Sequence, residues 1–182
     1  MVGLGNPGRR YARTRHNVGF LLLDRLRRDL GAGAEEDREG CRVAWAERGE
    51  ERIALVRPLL FMNRSGEALA RLPESALAGP GGHLVLLDDV RLPFGGLRFR
   101  EGGSAGGHRG LASVLAHLGT EEVPRLRLGI GGEDRDELAE YVLGGFSEDE
   151  EKELDPWLAR ASEGVRAFLD EGPDMAMNRY ND

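Results

Sequence analysis

A histidine at a helix entrance and two aspartates at a strand exit are the residues of this chain best placed to do chemistry. His16 directly precedes a segment in which Val18, Leu22, Leu26 and Leu30 share one helical face, and Gly31 supplies the stop signal. The positive end of a helix dipole disfavours imidazolium, so a ring there is suited to accept a proton. Asp88 and Asp89 follow the apolar run of residues 84–87, the pattern of a buried central strand whose polar residues begin at its C-terminal edge. That edge is where open α/β sheets place ligand sites. A carboxylate on one ring nitrogen of His16 would fix the tautomer and stabilise the charged ring while the other nitrogen removes a proton from water. The plainer alternative is that His16 caps a helix and Asp88 ends a strand.

The elements that must position these groups follow from periodicity and punctuation. A short apolar start runs into Gly3, Gly5, Pro7 and Gly8, which reads as a strand ending in a tight loop that carries Asn6. Residues 31–40 read as a loop. Residues 41–47 and 52–57 alternate around Arg48, Gly49 and Glu50 as a hairpin, and Pro58 ends its second strand. Ser65 is expected to cap a helix running to about Leu72. Residues 97–100 and 126–130 read as strands, 102–107 as a glycine-rich loop, 109–118 as a helix and 140–143 as a short extended piece. Asp155 is the expected cap of the last helix, with Pro156 in its first turn and Leu158, Val165 and Leu169 on its apolar side. Strands alternating with helices predict an α/β fold, a mixed β-sheet with helices on both faces, in a single domain spanning 1–182.

Composition narrows the setting. Cys41 is the only cysteine, which excludes an internal disulfide and predicts a reducing, cytoplasmic compartment. No apolar stretch approaches the roughly twenty residues of a membrane span, so no membrane partner is expected. Net charge is -7, yet its distribution is uneven. No acid occurs before Asp24, while Arg9, Arg10, Arg13 and Arg15 crowd the region of His16, and Arg98, Arg100, Arg109, Arg125 and Arg127 recur later. The acidic runs 35–39 and 148–155 read as solvated surface. An acidic protein with a local basic face can bind phosphate with strong salt dependence.

Beyond these local signals, the chain resembles bacterial peptidyl-tRNA hydrolases. The likeness runs from G-L-G-N-P-G at Gly3 and Y-A-R-T-R-H-N-V-G at Tyr11, through F-M-N-R-S-G at Phe61, the Asp88-Asp89 pair with Leu92-Pro93, and G-S-A-G-G-H at Gly103. It continues in R-L-R-L-G-I-G at Arg125, Y-V-L-G at Tyr141 and A-M-N at Ala176. The resemblance implies hydrolysis of the ester between a peptide and the 3′-terminal ribose of tRNA, with peptidyl-tRNA (acceptor stem, 3′ end and peptide) as the partner and no cofactor or metal. It implies His16 as the base, Asp88 as its partner, and Asn6 and Asn63 as carboxamides that hold the peptide end and the reacting centre. Tyr11, Met62 and His108 match cleft residues, and Arg100 and Arg127 match a basic pair that grips the 5′ phosphate. A monomer is expected on the same ground. Arg109 departs from the pattern, because the family usually has asparagine there; arginine donates only and is always charged. Arg91 stands where the family often has an acid.

Three rival readings compete with this one. Gly3, Gly5 and Gly8 satisfy a dinucleotide-binding spacing, but Pro7, the delayed helix and the missing acid about twenty residues on count against it. A metal site drawn from His16, Asp88, Asp89 and His108 has suitable ligand types without helix-face spacing. A non-catalytic RNA-binding relative would fit Arg109, whereas the presence of His16, Asp88, Asn6 and Asn63 favours turnover.

Overall fold

The computed structural model describes residues 1–72, 82–132 and 137–182. Its strands are β1 (Val2–Gly3), β2 (Glu36–Arg38), β3 (Cys41–Arg48), β4 (Glu51–Pro58), β5 (Val85–Asp89), β6 (Leu97–Arg100) and β7 (Arg125–Gly129). They form one mixed seven-stranded sheet in the order β2-β3-β4-β1-β5-β7-β6. β4, β1, β5 and β7 run parallel, and β2, β3 and β6 are antiparallel to the neighbour nearer the centre. The helices among the described residues are α1 (Val18–Asp29), α2 (Ser65–Leu69), α3 (Arg109–Leu118), α4 (Leu138–Leu143), α5 (Glu148–Glu171) and α6 (Pro173–Tyr180).

Alternation along the strands explains the two layers. Leu86, Leu97, Phe99, Leu126 and Leu128 point to the side where α1 and α5 bury Leu22, Leu26, Trp157, Leu158 and Val165. Val2, Val56, Val85 and Leu87 point to the other side, against Leu69 of α2 and Leu111, Val114 and Leu115 of α3. The α/β architecture with helices on both faces is thus as expected.

One contact sets the depth of α1. A Cβ at Gly19 would lie 2.5 Å from the Leu86 carbonyl oxygen and 2.6 Å from that of Leu4, distances that only a glycine permits. The helix therefore sits directly on the backbones of the strand region around Leu4 and of β5. Its entrance is drawn up to the end of β5, where Asp88 lies.

Several local expectations are corrected. Within 31–40 the fully exposed segment Glu36–Arg38 pairs with β3 as a strand; it carries only charged residues, so no apolar alternation announces it. Ser65 does not cap α2, since its hydroxyl donates to the Met62 carbonyl at 2.8 Å and Arg64 stands at the cap. Residues 140–143 are helical, within α4. The last long helix begins at Glu148, passes through Pro156, and is capped by Ser147 rather than Asp155. Ser147 and Glu150 form a reciprocal capping box there, which satisfies two free helix-end donors and outcompetes a start at Asp155.

β6 is an edge strand whose outer face is occupied. Leu97 N–H donates to Asp182 Oδ2 at 2.8 Å and Phe99 N–H to Asn181 Oδ1 at 2.6 Å. The Asp182 N–H and the Asn181 carboxamide donate in return to the Leu97 and Phe99 carbonyls.

Candidate active site

The entrance of α1 is a short 3-10 turn, Arg15–Asn17, and it delivers His16 to the end of β5. His16 Nδ1 lies 2.8 Å and 2.9 Å from the two oxygens of Asp88. On the opposite side, His108 Nε2 lies 3.0 Å from Asp88 Oδ1, and the two imidazoles sit 5.2 Å apart between centroids. Asp88 itself is buried.

The tautomers follow from the partners. His108 caps α3 and its Nδ1 accepts the Leu111 N–H at 3.1 Å, so in the neutral ring the proton is on Nε2 and is donated to Asp88. A metal bound at Nε2 would require that ring to give up its last proton, which argues against His16, Asp88 and His108 as a metal centre although their ligand atoms cluster within 4.8 Å. His16 likewise donates Nδ1–H to Asp88, and its Nε2 keeps a lone pair with no hydrogen bond among the described residues. Burial alone would raise the Asp88 carboxyl. The electrostatic attraction and hydrogen bond of the adjoining His108 ring, and then those of His16, outweigh it and hold Asp88 well below the usual carboxylate range.

Asn6 is fixed from three directions. Its backbone N–H donates to Asn17 Oδ1 at 2.8 Å, its carbonyl accepts from Asn17 Nδ2 at 2.9 Å, and its own Oδ1 accepts the Met62 N–H at 2.8 Å. The carboxamide oxygen is thereby turned toward the Met62 backbone. Two donors remain on Nδ2, which suits a carbonyl or oxyanion partner.

His16, Asp88, Asn6, His108, Arg109, Arg100 and Arg127 line one cleft of about 950 Å³. Tyr11, Met62 and Asn63 stand outside that lining. Asn63 is exposed in the turn Met62–Arg64, Tyr11 carries the Arg10 guanidinium over its ring at 4.5 Å, and Met62 is buried against Gly110, where a Cβ would meet its Sδ at 2.3 Å. His108 lines the same cleft, and both of its ring nitrogens are engaged within the protein, by Asp88 and by the Leu111 N–H.

The cleft has unlike walls. Leu138, Val142 and Leu143 of α4 give an apolar side. Arg100 of β6 with Arg125 and Arg127 of β7 gives a basic side, while Arg98, the register partner of Arg127, donates to the Asp182 carbonyl. These arginines differ sharply. Arg100 and Arg109 are exposed and form no ion pair among the described residues. Arg127 pairs through Nε with Asp89. Arg125 is buried and donates to the carbonyls of Val123, Gly103, Ser104 and Glu121, so it braces the glycine-rich loop that ends at His108.

Arg15, beside His16, is not a surface cation either. Buried, it reaches Glu150 at 2.6 Å, donates to the Tyr141 carbonyl and lies 4.3 Å from the Tyr141 ring centroid, tying α4 to the turn that carries His16. Arg13 pairs with Glu151, so the acidic run at the start of α5 is partly a counter-charge to the N-terminal arginines. Asn17, Arg15, Arg125 and Asp89 are the residues that sequence reasoning left without a role. For Asn17 and Arg15 the available signal was adjacency to His16; Asp89 and Arg125 each combine a local backbone partner with a remote one, Arg127 for Asp89 and the Gly103 and Ser104 carbonyls for Arg125.

Comparison with known proteins agrees along the whole length. The family model described as peptidyl-tRNA hydrolase matches residues 1–182. The chain is 46% identical over 183 residues to the peptidyl-tRNA hydrolase of Moorella thermoacetica, covering 100% of this chain and 96% of that one. It is also 46% identical over 183 residues to that of Chloroflexus aurantiacus, covering 100% and 97%. Among solved structures, a peptidyl-tRNA hydrolase in complex with N-propanol superimposes with a TM-score of 0.89 at 29% identity, over 99% of this chain and 94% of that one. The Acinetobacter baumannii peptidyl-tRNA hydrolase gives a TM-score of 0.88 at 30% identity, over 99% and 94%. By full-length sequence match and by fold, the chain belongs to the peptidyl-tRNA hydrolase family.

Proposed function

We propose that this protein hydrolyses the ester between a peptide's C-terminus and the 3′-terminal ribose of tRNA, with His16 activating the water. The observation that carries this reading is the His16–Asp88 pair: Nδ1 is engaged by the carboxylate while Nε2 is unengaged on a residue that lines the cleft. In the first step the water oxygen attacks the ester carbonyl carbon as Nε2 takes its proton. Asp88, held as a carboxylate, stabilises the imidazolium that forms. The tetrahedral intermediate then collapses, the carbon–oxygen bond to the ribose breaks, and the leaving alkoxide takes the proton back from Nε2. Asn6 Nδ2 offers donors to the oxyanion. Asn63, Tyr11 and Met62 belong to the peptide side, and Arg100, Arg109 and Arg127 to the RNA side. One domain spanning 1–182, acting as a monomer in the cytoplasm, completes this reading.

Single-turnover release of N-acetyl-aminoacyl groups from tRNA, with tRNA binding followed in parallel, tests it. His16→Ala should lower the rate by about 10²–10⁴-fold, the usual share of a general base, with binding retained. A folded His16→Ala variant within tenfold of the wild type would remove His16 as the base. Arg109→Asn decides the second reading: binding without release by the wild type, rescued by that substitution, would mean an RNA-binding relative instead.

A further inference from the structure

Asp89 is the residue next to the catalytic partner, and its own carboxylate faces a different task. It is 8% exposed, one oxygen accepts the Arg91 backbone N–H at 2.9 Å, and the other pairs with Arg127 Nε. The carboxylate is thus anchored at the turn that follows β5, and it holds the guanidinium by one edge. The opposite edge, Nη1 and Nη2, carries no hydrogen bond among the described residues, and Arg127 lines the same cleft as His16 and Arg100. A guanidinium held by Nε offers the remaining fork for planar, two-point contact with an oxyanion.

We propose that Asp89 is a positioning residue that aims Arg127 at a terminal phosphomonoester of the substrate RNA, rather than a solvated acid. The proposal rests on the reading of Arg100 and Arg127 as phosphate-binding residues. The Asp89–Arg127 pair has no net charge, so long-range attraction at this point comes from Arg100, whereas Arg127 contributes geometry. A phosphodiester of the chain interior gains little from a neutral pair. A terminal phosphomonoester, with up to two charges and three free oxygens, gains both the fork and the Arg100 cation. Selection of an RNA end over an RNA backbone follows from pairing one arginine and leaving the other unpaired.

The test uses N-acetyl-aminoacyl-tRNA bearing either a 5′-phosphate or a 5′-hydroxyl. Asp89→Asn keeps an oxygen for the Arg91 N–H but sets an NH₂ group against the Arg127 Nε–H. KM for the phosphorylated substrate should rise about tenfold, the scale of one lost charge-assisted hydrogen bond, with kcat within about twofold and KM for the hydroxyl substrate little moved. Asp89→Glu should restore part of the preference. If Asp89→Asn moves both substrates equally, or leaves the preference intact while Arg127→Ala abolishes it, the positioning role is overturned and phosphate binding stands. If neither Arg100→Ala nor Arg127→Ala alters the preference, the phosphate reading fails and the proposal falls with it.

Discussion

At the level of single residues, Asp88 concentrates the chemistry, since two imidazoles compete for one buried carboxylate. Its folded-state pKa lies below the unfolded value, so its contribution to stability is present above the ordinary carboxylate range, near pH 4, and is lost as pH falls through the depressed value. Urea unfolding of the wild type and Asp88→Asn should therefore show a gap at about pH 7 that narrows in strongly acidic solution; a gap constant across that range would mean that Asp88 acts by shape rather than charge. His16 and Asp88 were legible in the sequence because each stands where a local pattern changes, from loop to helix and from apolar strand to polar exit. His108 was visible as a residue, but its partners were not. Nothing in a linear chain shows that one ring nitrogen will accept the Leu111 N–H and the other will meet Asp88. The same limit hid part of Arg125's role, because the Gly103 and Ser104 carbonyls that it reaches lie far from it in the chain.

Elements were legible where period and punctuation agreed, as in α1, the β3–β4 hairpin and α3. They were misread where two start signals competed, as at Ser147 and Asp155, or where tertiary contacts decide. α4 is six residues long, too short to be stable alone, and Arg15 holds it in place through the ring and carbonyl of Tyr141 and through Glu150. A close tolerance lies between α1 and the sheet. Gly19→Ala should lift α1 from the Leu4 and Leu86 carbonyls, costing about 2–3 kcal/mol by overpacking. It should also lower kcat more than it raises KM, because His16 leaves Asp88 before the cleft walls move. Thermal unfolding and steady-state kinetics on one preparation check both parts, and a variant that is destabilised but fully active would show that the pair does not depend on the depth of the helix.

Across the whole molecule, net charge and local charge point in opposite directions. The chain carries -7, yet β6 and β7 present three arginines, Arg100, Arg125 and Arg127, to a cleft. KM for tRNA substrates should rise steeply with salt, and Arg100→Ala should reduce the slope of log KM against log salt by about one, the value of one phosphate contact. An unchanged slope would place the phosphate contacts elsewhere, on Arg9 or Arg10. The arginine face lies beside the covered edge of β6, and the cover has a consequence for how a peptide can be held. With Asn181 and Asp182 occupying the outer donors and acceptors of Leu97 and Phe99, an extended peptide cannot add there as an eighth strand. Under the proposed function, main-chain recognition of a peptide of any sequence would fall to isolated donors such as the Asn6 carboxamide rather than to this edge. An enzyme of this build would feel the first residues of its peptide and remain indifferent to the rest.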